Sequence, residues 1–231
     1  MSRGTQNALL LLVGLSVVVM VVKGSYLHYV KPSLLPWLIA AAVVLVVLAV
    51  AAIVGDLRHP PDGDGHHHRP WLVWLLLAPI ALTTFVVPPP LGAHGAAPAQ
   101  VAEPTRRAWP PLPAGRAPTV SIPDVLMRAA TDSANSLDGR LITITGFTLK
   151  YPGSTDLGRV VIVCCAADAQ LARIRLSGPA AAEVAGYPED TWLQVEGQVV
   201  PGTSTASTNY IPTMAVSHVT PIPKPANTYS Y

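Results

Sequence analysis

Only two cysteines occur in the 231 residues, and they are neighbours: Cys164 and Cys165, in the stretch GRVVIVCCAADAQ, with Asp168 three residues further on. Two thiols beside a carboxylate are the donors of a metal site or, without the carboxylate, of a redox pair. Backbone geometry sets the conditions. Consecutive Cα atoms lie about 3.8 Å apart across a trans peptide, less than the roughly 4.4 Å of an ordinary disulfide, so a bond between neighbours is strained. In an undistorted strand the two side chains point to opposite faces and cannot grip one ion together. A metal or redox role therefore needs a bulge or a turn at this point. Without one, the pair are two small apolar residues packed in a core. Both outcomes are open, because β-branching stops at CCAADA and Asp168 is a turn former. A catalytic thiol is not expected, since the only histidine after residue 118 is His218 and no motif ties it to the cysteines.

A second group of donors lies in GDLRHPPDGDGHHHRP, residues 55–70, where His59, His66, His67 and His68 fall close to Asp56, Asp62 and Asp64. Neutral imidazole with carboxylate suits Zn, Ni or Co. Proline and glycine run through the stretch, so the expectation is a loose capture loop rather than a preformed cage, with a plain polar loop as the competing reading. His28 and His94, each near the end of an apolar run, read as interfacial residues.

The elements that position these groups divide between two solvents. Half of the residues are hydrophobic and 12% are charged, and the mean hydropathy is +0.41, which is too apolar for a soluble protein of this length. Residues 7–22, 34–54 and 71–87 carry no charge. Roughly 17 to 25 apolar residues span a hydrocarbon core about 30 Å thick, so the second run qualifies with ease and the other two stand at the lower limit. The first run follows Arg3 but lacks the small-residue cleavage pattern of a signal peptide, and Pro79 in the third is tolerated in lipid. The expectation is a three-helix transmembrane anchor. Arg3, Arg58 and Arg69 would lie on one side and Lys23 and Lys31 on the other; counting only these, the N-terminus is cytoplasmic and everything after residue 87 is outside. Arg106 and Arg107, at the far limit of what that rule counts, would cancel the bias. No ionisable side chain interrupts the runs, so the helices read as anchor and packing surfaces rather than an ion path. Gly14, Ser16 and the alanines at 40–42 allow close helix contact, which points to a partner. A net charge of +2 without a basic cluster argues against nucleic acid.

Residues 88–118 hold nine of the 24 prolines and read as an extended, semi-rigid linker. From residue 119 the pattern becomes that of a soluble β-rich α+β domain. IPDVLMRAATDS reads as a helix with Pro123 in its first turn, and GPAAAEVAGY as a second, shorter one. RLITITGFTLK, RIRLSG and TWLQVEGQVV alternate as strands, RVVIVCC is apolar on both faces, and IPTMAVSHVTPI reads as an edge strand between prolines. Five strands and two helices fit a small barrel of the oligonucleotide-binding-fold kind, or an open twisted sheet with one covered face.

Several phrases taken together resemble a known family: YVKPSLLPWLIAAAVVL (29–45), the histidine loop, VPPPLGA (87–93), LDGRLITITGF (137–147), VVIVCCAADAQ (160–170), DTWLQVEG (190–197) and PIPKPANTYSY (221–231). The chain is similar to bacterial predicted permease subunits that carry a C-terminal domain of unknown function. Cys164, Cys165, Asp168 and Tyr229 are the signature residues of that likeness, whereas Ser230 stands where an acidic residue is expected in relatives. The resemblance implies an accessory component working beside a larger multi-pass permease, in metal homeostasis and with zinc in particular. The expected function is thus a membrane-anchored accessory subunit of a transport complex, with lipid bilayer and permease as partners. The alternative is a metal sensor or metallochaperone that uses the histidine loop and the cysteine pair. An enzyme is not expected, as there is no nucleophile–base pair, pair of acids or phosphate loop.

Overall fold

The computed structural model describes residues 3–58, 89–99 and 105–231. It divides into two compact units, Met1–Pro89 and Pro90–Tyr231.

In the first unit, α1 (Arg3–Val22) and α2 (Leu35–Arg58) are joined by two 3-10 turns, Ser25–His28 and Pro32–Leu34. Gly24 stops α1. Its left-handed φ of 71° turns the chain away while its N–H still reaches the Val21 carbonyl at 3.1 Å. The helices run antiparallel, because Asn7 Nδ2 near the start of α1 donates to Asp56 Oδ2 near the end of α2 at 2.7 Å. Between those ends the contact is made by small residues. A Cβ on Gly14 would come within 2.8 Å of Val46 Cγ2, and Ala42 and Ala49, two turns apart on α2, are buried. The larger side chains, among them Val43, Val47, Leu48 and Val50, face outwards.

The expected three spans are reproduced only in part. Among the described residues, one helical stretch is long and apolar enough to cross a membrane, the 25 residues Pro32–Asp56. The apolar part of α1, Gln6–Val22, is shorter; at about 1.5 Å per residue it covers only about 25 Å of a core about 30 Å thick. The third run, residues 71–87, lies outside the described residues.

In the second unit the strands are β1 (Ala97–Pro98), β2 (Leu141–Tyr151), β3 (Ser154–Val161), β4 (Gln170–Ser177), β5 (Trp192–Val199), β6 (Thr213–Pro221) and β7 (Tyr229–Ser230), with helices α3 (Ile122–Thr131) and α4 (Ala181–Gly186). The seven form one mixed sheet in the order β1-β4-β6-β5-β2-β3-β7, and an additional β3–β4 pairing closes β2 to β6 into a ring. Within the ring only β4 and β6 are parallel. That order and those directions belong to a five-stranded Greek-key barrel.

Alternation along the strands sorts side chains into two clusters. The barrel interior holds Ile142, Ile144, Leu157, Ile174, Leu193, Val195 and Met214, and α3 adds Ile122, Val125 and Leu126. Helix α3 is set by Ser121, whose hydroxyl accepts the Asp124 N–H at 3.2 Å, and by Pro123 in the first turn. A smaller cluster, Phe147, Leu149, Val160, Ile162, Leu171 and Trp192, is completed by Ala93 and Tyr229 from outside the ring.

Two expectations are corrected. The strand at Thr213–Pro221 is no edge: β6 lies between β4 and β5, and ring closure confines its prolines to the ends. Nor do the described parts of the proline-rich segment hang free. Ala97 and Pro98 pair with Gln170 and Leu171, Ala93 N donates to Asp190 Oδ1 at 2.9 Å, and Trp109 Nε1 donates to Thr131 Oγ1 at 2.8 Å. The Arg107 and Arg128 guanidinium groups stack on the Trp109 ring at 4.4 and 5.0 Å. A proline-rich chain has no internal hydrogen bonds to satisfy it, so its donors and acceptors take whatever sheet edge the barrel offers.

Candidate metal centre

Strands β3 and β4 run on beyond the ring as a hairpin. There β7 takes the outer side of β3, with Val160 beside Tyr229 and Val161 beside Ser230, while β1 takes the outer side of β4. The hairpin tip carries the cysteines. Strand β3 ends at Val161, the Ile162 N–H donates to Ser230 O at 3.1 Å, and the backbone bends at Val163 and Cys164 before the 3-10 turn Ala166–Asp168.

Asp168 makes the bend. Its Oδ1 accepts the Val163 N–H at 2.8 Å, and its Oδ2 accepts the Cys164 N–H at 2.8 Å and the Cys165 N–H at 3.3 Å. A short carboxylate folded back on three successive amides competes successfully with continuation of the strand. The thiols are thereby brought to one side. Cys164 Sγ is 3.7 Å from Cys165 Sγ and donates to Asp168 Oδ2 at 2.9 Å. One donor atom from each of the three residues lies within 4.8 Å of the others.

Charge follows from these contacts. The hydrogen bond to the Asp168 carboxylate, ahead of the contact with Cys165, pushes the Cys164 thiol up to about 11. Accepting that thiol first, and the Val163 and Cys164 amides next, holds Asp168 down at about 2. Near neutrality the group is a protonated thiol against an ionised carboxylate. Both cysteines are free, Cys164 exposed and Cys165 half-buried, and Val163 beside them is 71% exposed. The core-packing reading of the pair is overturned, because the turn takes both sulfurs out of the strand.

Residues 125–231 match the family model of the DUF1980 C-terminal domain. No curated protein and no solved structure matches the chain. The DUF1980 C-terminal domain is an uncharacterised family, and the match takes in all five ring strands, the 164–168 turn and the tail strand β7.

Of the seven residues expected to bind metal, the structure brings Cys164, Cys165 and Asp168 together; His59, His66, His67 and His68 lie outside the described residues. Asp56 is engaged by Asn7. A cavity of about 550 Å³ beside the barrel, next to Arg173 and Tyr210, is not lined by the cysteines.

Two residues of the matched region support the tip without being ligands. Tyr229 is buried, and its hydroxyl accepts the Leu91 N–H at 3.0 Å. Arg159 lies over the Trp192 ring at 4.7 Å and donates to the carbonyls of Asn227 and Tyr229 at 3.0 and 3.3 Å, with its Nε buried and unpaired. Tyr229 is legible only through the family likeness. Arg159 had a signal, a cation at the head of the apolar run at residues 160–163.

Proposed function

We propose that the chain is a membrane-anchored accessory subunit of a transport complex that handles zinc, with Cys164, Cys165 and Asp168 as the metal-receiving group. The separation of the two sulfurs carries this reading. Two thiolates on one tetrahedral zinc, each about 2.3 Å from the ion, stand about 3.8 Å apart; Cys164 and Cys165 stand 3.7 Å apart before any ion arrives. The carboxylate completes a borderline S₂O set, harder than a copper(I) site prefers and too soft for magnesium or calcium. Three protein ligands leave a coordination position for water or for a donor from a partner.

The anchor is read as three helices, α1, α2 and the 71–87 run, with the DUF1980 domain outside the cytoplasm and the histidines of residues 55–70 as a looser capture loop. In support, the helices carry no ionisable side chain between residues 7 and 22 or 34 and 54, so transport itself belongs to a larger multi-pass partner. Exposure of Cys164 favours the metallochaperone reading as the alternative, in which the same site works without a permease.

Two measurements on the full-length protein in mild detergent test this. Competition titration should give one tightly bound zinc per chain, lost in the Cys164→Ser, Cys165→Ser double variant while any histidine-loop binding stays weaker; an unchanged tight stoichiometry in that variant removes the site. Native electrophoresis should show migration with a larger membrane protein, and a lone monomer leaves the metallochaperone alternative in place of the subunit.

A further inference from the structure

In the 164–168 turn the two sulfurs face one another at 3.7 Å, both thiols are free, and the chain has no third cysteine. Asp168 maintains this arrangement from the backbone, through the amides of Val163, Cys164 and Cys165. A strand would have set the sulfurs on opposite faces. Closing the gap to a disulfide of about 2.05 Å needs about 1.7 Å of approach, by side-chain rotation with strain taken up in the peptide between the two residues.

We propose that Cys164 and Cys165 form a reversible disulfide with each other and that this bond gates the metal site. The proposal rests on the zinc reading above and adds its regulation: the reduced pair receives the ion, and the oxidised pair has no thiolate to offer. Ion and bond exclude each other because they use the same sulfur electron pairs. Sequence neighbours give a ring of eight atoms closed across one peptide, with the Cα atoms nearer than the roughly 4.4 Å of relaxed disulfides, which puts the bond among the labile, readily reduced ones.

The oxidant is another disulfide, of low molecular weight or on a protein. One cysteine attacks it as thiolate, forming a mixed disulfide while the oxidant's S–S bond breaks and its first sulfur leaves. The neighbouring cysteine then attacks its partner's sulfur in that mixed disulfide, and the second oxidant sulfur leaves. The pair has lost two electrons and two protons, and the oxidant departs as two thiols carrying both. Exposure of Cys164 and of Val163 beside it admits the oxidant, and a resolving thiol held at 3.7 Å outcompetes any thiol in solution for the second step.

The experiment uses the full chain in detergent, reduced, freed of reductant, and exposed to oxidised glutathione. Free thiols, the mass of the peptide containing both cysteines, and zinc affinity are read on the same samples. Reduced protein should show two free thiols and one bound zinc. After oxidation the thiols should be gone, the peptide should be lighter by two hydrogen atoms, and zinc affinity should fall by at least about a hundredfold, with two of three protein ligands lost; dithiothreitol should reverse all three. Zinc added first should slow the oxidation, and Cys165→Ser should stop at the glutathione adduct. A wild-type protein that also stops at the adduct, or a ring form that holds zinc as tightly as the reduced form, overturns the gate and leaves the zinc reading standing. Reduced protein that binds no zinc overturns the zinc reading, and the gate falls with it.

Discussion

Asp168 Oδ2 accepts both the backbone N–H of Cys164, at 2.8 Å, and its thiol, at 2.9 Å. One oxygen thus fixes the residue's backbone and withholds its nucleophile. The oxygen that shapes the turn is also the oxygen that keeps the thiol protonated, so conformation and reactivity are tied to the same carboxylate.

Replacing the carboxylate by an amide removes one of its two acceptor oxygens and the negative charge, and so tests that link. In a Cys165→Ser background, Asp168→Asn should return the Cys164 thiol from about 11 towards its ordinary 9.0. The thiolate population at neutral pH then rises by up to about a hundredfold, and alkylation by iodoacetamide by up to about tenfold, since Cys165 supplies part of the rise to about 11 and a less basic thiolate is also a weaker nucleophile. Rates followed by mass spectrometry check this. Equal rates in the two proteins would show that the hydrogen bond does not govern the thiol.

The same bond has a second pH signature. Asp168 is held at about 2, below its ordinary 3.8, so its contribution to the turn is complete above the ordinary value and is lost as pH falls through the lower one. The amide resonances of Val163 and Cys164 should therefore shift with a midpoint near 2 in metal-free protein. A midpoint near 3.8 would contradict the three-amide grip.

The tail strand is predicted to be part of the barrel's stability. Tyr229→Ala empties a buried aromatic position in the smaller cluster and should cost about 3–5 kcal/mol in urea unfolding. Tyr229→Phe keeps the ring, loses the acceptor for Leu91 N, and should cost about 1 kcal/mol. If both variants unfold like wild type, β7 is an accessory and not a wall of the hairpin.

At the helical hairpin, Gly14→Leu should separate α1 from α2, since even a Cβ would stand 2.8 Å from Val46 Cγ2. Overpacking of this kind costs about 1–3 kcal/mol. Cysteines placed at Leu11 and Ala49, in a background without Cys164 and Cys165, give a cross-linking readout relative to the same pair with Gly14 intact. A variant that cross-links as well as its parent would mean that the contact is loose.

The elements of the barrel were readable from the sequence, because each strand has one face in the interior: Ile142 and Ile144, or Leu193 and Val195, alternate with polar neighbours at a period of two. Closure of the ring was not. It depends on β3 meeting β4 and on β4 meeting β6, pairings between residues whose own sequences do not name a partner, and for this reason Thr213–Pro221 reads as an edge. The turn at the cysteines was half legible. Asp168 announced a turn former, but Ile162, Val163 and the cysteines continue the apolar strand pattern, and only the three backbone hydrogen bonds to Asp168 show where the pattern is broken. The proline-rich stretch misleads for the opposite reason: composition gives its stiffness, while its docking depends on a few contacts such as Trp109 against Arg128 and Thr131.

The course of the chain through β1 has a mechanical meaning. Any pull along the polypeptide from the helices reaches the barrel by way of Leu91, Ala93 and then Ala97 and Pro98, whose neighbours are Gln170 and Leu171. Gln170 follows Asp168 by two residues. Tension in that strap would load the contacts of Leu91 with Tyr229 and of Ala93 with Asp190 first, and on their failure would reach β1 beside the carboxylate that holds the two sulfurs together.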